Sequence, residues 1–136
     1  ASYVQESVLE TVDLKTSVCH EIDALTGPKT IVGSSSSGIP SSSFTEDCAN
    51  RAYFMVVHPV NPPHLMPFVE IVPAARISPD CVTNVAKLMR DAGQVPVLLN
   101  KEIDGFVLNR LRGILLNEAW PLSEEALPLL DIYLGQ

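Results

Sequence analysis

The chain has 136 residues, 46% of them hydrophobic, and a formal net charge of −7. That length suits a single core that removes roughly two thirds of the unfolded surface from water, and the acidic balance, with no Lys/Arg cluster against it, argues against a nucleic-acid partner. The apolar runs are too short to span a bilayer, and Cys19, Cys48 and Cys81 lack any CxxC spacing, so neither a zinc site nor a disulfide framework is indicated and a reducing, cytoplasmic setting is expected.

The opening residues ASYVQESVLE have no initiator methionine and no basic or apolar leader, which leads us to expect upstream sequence outside the chain. Residues 2–8 alternate weakly and predict the end of a strand; Leu14, Val18, Ile22 and Leu25 then form one helical stripe that Gly27 and Pro28 end. TIVG follows as a short β-branched strand and runs into SSSSGIPSSSF. By composition those serines suit a flexible linker, but their position between two packed elements favours an ordered loop offering hydroxyls. YFMVV at 53–57 and FVEIV at 68–72 are apolar strands, and the prolines between them stiffen the joining loop. Ser78 and Pro79 start a capped helix with Val82, Val85, Ala86 and Met89 on one face and Gly93 at its end. VPVLL at 95–99 is a further strand. From about Asp104, the spacing of Val107, Leu111, Ile114 and Leu115 predicts a helix, and the tail with Pro121 and Pro128 predicts a short helix plus irregular chain. Strands alternating with helices predict an α/β layered fold.

His58 stands where an apolar strand yields to a loop, the usual ligand position in open α/β sheets. A lone histidine there is more often structural. If FVEIV pairs beside YFMVV, Glu70 faces the imidazole and fixes its tautomer, making an acid/base dyad; alternation equally allows Glu70 on the solvated side of an edge strand. Asn109 either hydrogen-bonds a substrate oxygen or belongs to a polar helix face. His64 has no acidic neighbour in its loop, and Cys19 falls near the buried stripe of the first helix and reads as core. The sequence holds no Gly-x-Gly-x-x-Gly, Walker loop or metal-ligand cluster, so no metal is expected.

Three stretches, VVHPVNPPHLMPFVEIVP, GQVPVLLNKEIDGFVLNRL and NEAWPLSEE, together resemble the 3-hydroxyacyl-CoA dehydrogenase superfamily, most closely its lambda-crystallin (L-gulonate 3-dehydrogenase) branch, from about Val4 to Glu125. The resemblance implies the later half of a Rossmann-type NAD-binding domain over residues 1–101, then the first helix of an all-α dimerisation domain over 102–136. It implies an NAD-dependent oxidoreductase acting on a 3-hydroxy acid or its acyl-CoA thioester, as a homodimer. Residue by residue, the HPVNP histidine makes His58 the general acid/base, and the strand glutamate that orients it is Glu70. The family's serine after the strand matches Ser37, or Ser36 if the loop slips by one, and the asparagine of GFxxNR is Asn109. Glu10 and Lys15 match positions at the nicotinamide end of the cofactor, and Asn61 an asparagine beside the dyad. The same branch includes lens proteins, so a non-catalytic, crystallin-like structural or interaction protein is the second reading. Past SEE the residues ALPLLDIYLGQ leave the family's course, and the apolar stripe of the last helix is expected to seek another surface, a second copy first.

Overall fold

A computed structural model describes residues 1–125, which divide into two compact units, Ala1–Phe106 and Val107 onward. The first unit is built on five strands: β1 (Tyr3–Glu6), β2 (Ile31–Ser34), β3 (Phe54–Pro59), β4 (Phe68–Val72) and β5 (Val95–Leu98), adjacent in that order. Helix α1 (Val12–Leu25) carries β1 over to β2, and α2 (Pro79–Asp91) carries β4 over to β5. β1, β2 and β3 are parallel, β4 turns back antiparallel to β3, and β5 runs parallel to β4. The reversal follows from the prolyl loop between Pro59 and Phe68, which is too short for the crossover that a parallel neighbour needs.

β3 and β4 lie inside the sheet and are buried on both faces, which is why they read as continuous apolar runs and not as alternations. On one face Met55, Val57, Val69 and Ile71 pack against Cys81, Val85 and Ala86 of α2. On the other, Val56 and Val72 meet Leu99 and Phe106, while Val32 and Phe54 meet Cys19, Phe44 and Cys48. Side chains alternate along a strand, so His58 shares a face with Val56 and Glu70 shares one with Val72.

The expected start of α2 is present in full: the Ser78 side chain accepts from the Cys81 amide at 3.3 Å and Pro79 opens the helix. The expected stripe on α1 is corrected. Leu25 is 87% exposed and Leu14 38%, and the buried residues are Lys15 and Cys19. A lysine marks the inner face because its charge is matched there by a carboxylate, which hydrophobic periodicity does not register. Cys19, Cys48 and Cys81 are free and buried. Burial pushes the Cys19 thiol up to about 12 and the Cys48 thiol up to about 11, so Cys19 is core and no nucleophile.

In the second unit, helix α3 (Leu108–Glu125) starts a few residues later than its spacing suggested and runs straight through Pro121. Proline removes one main-chain hydrogen bond but holds φ at a helical value, so a break is not obligatory. The rest of the expected tail, 126–136, lies outside the described residues. Among the described residues no helix is long and apolar enough to cross a membrane.

Candidate active site

Strands β3 and β4 place His58 directly opposite Glu70 in their register. The His58 Nδ1 and Glu70 Oε2 atoms are 2.9 Å apart, with Glu70 only 1% exposed. A carboxylate can only accept, so Nδ1 carries the proton and Nε2 is the atom left to take up another. Removing a carboxylate from water is costly unless it is hydrogen-bonded; the Nδ1–H contact supplies such a bond, and protonation of Nε2 would add a counter-charge. The alternative of a solvated Glu70 on an edge strand is thereby excluded, since β5 covers the outer edge of β4.

The loop after β2 is ordered around a second carboxylate. Glu10 Oε1 accepts from the Ser36 hydroxyl at 2.7 Å, the Ser37 amide at 2.9 Å and the Gly38 amide at 3.1 Å. The Ser36 oxygen also lies 2.8 Å from the Ile39 carbonyl, an alternative acceptor for its one proton, and accepts from the Ile39 amide at 3.0 Å, and it is fully buried. Its hydroxyl is thus engaged within the loop itself, whereas Ser37 is partly exposed. Partial burial works to raise the Glu10 carboxyl, but the Ser36 hydroxyl, the Gly38 amide, the Lys15 charge and the Ser37 amide together hold it below the ordinary carboxylate range.

Beneath that clamp lies an ion pair the residue patterns did not disclose. Lys15 Nζ stands 3.2 Å from both oxygens of Glu6 and 3.7 Å from Glu10 Oε2, with Lys15 and Glu6 fully buried at their side chains. Glu6 also accepts from the Val8 amide at 2.6 Å and from the Ser34 hydroxyl. The one hint was Glu6, a carboxylate at the end of β1, but the cation that meets it could not be placed from the pattern. Lys15 faces inward, under Glu10. Asn61 and His64 are exposed in the prolyl loop, and Asn109 belongs to α3 in the second unit. Among the described residues no group of His, Cys, Asp and Glu is arranged to hold a metal ion.

β1, β2 and β3 share a direction, so Glu10, the serine loop and His58 all follow or end strands at the same carboxyl edge of the sheet. That edge is where ligands sit in open α/β folds. The residues fit the nicotinamide end of a dinucleotide: Glu10 is 38% exposed at its side chain and retains acceptor capacity at Oε2 for a carboxamide N–H.

Residues 1–103 match the family described as 3-hydroxyacyl-CoA dehydrogenase, NAD binding domain. Lambda-crystallin of Oryctolagus cuniculus is 42% identical over 125 residues, which cover 92% of this chain and 39% of that protein. Among solved structures, 5-formyl-3-hydroxy-2-methylpyridine 4-carboxylic acid 5-dehydrogenase, described as an NAD+-dependent dismutase, superposes with a TM-score of 0.88 at 35% identity, over 97% of this chain and 44% of that one. The 3-hydroxybutyryl-CoA dehydrogenase of Escherichia coli K12 superposes with a TM-score of 0.85 at 25% identity, over 92% and 26%. The chain spans about two fifths of the length of the curated relatives it matches.

Proposed function

The chain belongs to the 3-hydroxyacyl-CoA dehydrogenase family, and from that membership we propose that it serves the NAD-dependent oxidation of a small 3-hydroxy acid or its acyl-CoA thioester, with His58 and Glu70 as the acid/base pair. The observation that carries this reading is the 2.9 Å contact between His58 Nδ1 and a buried Glu70 at the ligand-binding edge of the sheet.

With Nδ1 held by Glu70, His58 Nε2 accepts the proton of the substrate hydroxyl as the carbonyl develops. The positive imidazolium that results lies against the Glu70 carboxylate in a low-dielectric setting, where the pairing is far stronger than in water. Ser37 and Asn109 donate hydrogen bonds to the forming carbonyl oxygen, the Asn109 role resting on the resemblance alone. NAD, when bound, supplies the hydride acceptor. Glu10 would hold the nicotinamide carboxamide through Oε2, the oxygen outside the loop's hydrogen bonds, with Lys15 fixing that carboxylate from below and Asn61 flanking the dyad.

The same reading assigns residues 1–101 to the nucleotide-binding domain and 102–136 to the start of a helical domain through which two copies associate. Three unpaired thiols accord with a cytoplasmic setting.

The test titrates the chain with NADH by fluorescence and assays oxidation of L-gulonate and 3-hydroxybutyryl-CoA by wild type and His58→Ala. We expect both to bind the cofactor and His58→Ala to lose about a hundredfold or more in turnover, the usual scale for a general base. Equal rates in the two proteins, or a folded wild type with no turnover at saturating NAD+, would overturn the reading; the latter would favour a crystallin-like structural role.

A further inference from the structure

The segment that leads from β5 toward the second unit is fastened to the serine loop at two places. Glu102 Oε1 accepts from the Ser41 hydroxyl at 2.9 Å and the Ser42 amide at 3.0 Å. The Gly105 amide donates to the Gly38 carbonyl at 3.1 Å, one residue from Ser37. Spanning the second fastening, the Phe106 amide donates to the Ile103 carbonyl at 3.1 Å and closes a tight turn.

The turn has an uncommon backbone. Gly105 lies at φ 71 and Phe106 at φ 48, so two consecutive residues are left-handed. Glycine takes that conformation freely, whereas a residue with a Cβ takes it only where its surroundings compel it. What the surroundings obtain is the placement of one ring. Phe106 is fully buried with Val56, Val72 and Leu99, and its ring centroid lies 6.0 Å from that of His58, the planes tilted by 53°. A two-residue turn thus touches the loop that carries Ser37 through one amide and the His58 imidazole through one ring.

We propose that Gly105 and Phe106 are positioning residues of the site: Gly105 holds the Ser37–Gly38 loop, Phe106 walls one side of the His58 imidazole, and together they fix the serine relative to the base. This rests on the reading of His58 as the base and Ser37 as a donor to substrate oxygen. Gly105 and Phe106 themselves act only through Gly38 and His58. The strained φ of Phe106 is the signature of that constraint, because a link with no positional duty would settle into ordinary backbone.

The test does not depend on turnover. In the 136-residue chain, exchange of the His58 Nδ1–H with water, followed by nitrogen-15 NMR, reads the wall directly. Phe106→Leu keeps the core filled and removes the ring. It should speed that exchange about tenfold or more and lower kcat by a similar factor at little-changed KM for NAD+, as small misplacements of catalytic groups do, while amide exchange in β1 and β2 stays as in wild type. If Phe106→Leu fails to fold, Phe106→Met, whose flexible side chain adapts to irregular cavities, takes its place. Unchanged Nδ1–H exchange overturns the proposal, and so does a uniform rise across the sheet, which a merely structural residue would give. Faster exchange in a chain that turns over no substrate would leave the wall standing and dismiss the catalytic reading instead.

Discussion

Glu10 and Glu70 are carboxylates on the same sheet, and their surroundings give them different work. Glu70 meets the buried His58 imidazole, while Glu10 gathers three donors of a single loop at one oxygen. Because the folded Glu10 carboxyl ionises below the ordinary range, its clamp is complete above the unfolded carboxylate value of about 4.3 and is lost only as pH falls through the lower folded value. Protection of the Ser37 and Gly38 amides, taken relative to free-peptide exchange at each pH, should hold to below that ordinary value and then fall; protection already lost near neutral pH would contradict the clamp. The residues alone left Glu70 open between facing His58 and facing solvent, because alternation along a strand does not say which neighbour it pairs with; the resemblance favoured the first, and the contact is present. Lys15 was legible only through the resemblance, and its inward direction was not, since a buried cation is visible in a pattern only once its counter-charge is placed.

At the scale of elements, most of the sheet and α2 could be read from residue order because the local signals agree with the packing. Ser78 and Pro79 illustrate it: the cap bond to Cys81 is local, so no distant contact can override it. Ser78→Ala should cost about 1 kcal/mol in chemical denaturation, and an unchanged midpoint would show the cap to be idle. α1 resisted reading because its inner face is set by an ion pair and its apolar residues are largely outward. Gly33 is a second position no pattern reveals. A Cβ there would lie 2.9 Å from Val57 Cγ2 and 2.8 Å from Gln5 Oε1, and would press on the Tyr3 hydroxyl. The long polar ends can shift, but Val57 is packed in the core and cannot. Gly33→Ala should therefore destabilise by about 1–3 kcal/mol through overpacking, read as a lowered denaturant midpoint at unchanged slope.

For the molecule as a whole, membership of the family is legible in long motifs, whereas the turn that joins the units is not, because its left-handed backbone depends on contacts at Gly38 and His58 that are distant in sequence. Helix α3 leaves Leu111, Ile114, Leu115, Leu116 and Trp120 largely exposed. Apolar area on that scale seeks a covering surface, so light scattering should show a mass that rises with concentration; a monomer at every concentration would contradict self-association. In the proposed chemistry the carboxylate of Glu70 acts through the imidazole of His58. Turnover of Glu70→Gln beside wild type, at saturating NAD+, tests it most directly. Loss of about a hundredfold with cofactor affinity little changed is the predicted result, on the scale of removing one preorganised electrostatic partner, and turnover equal to wild type would contradict it.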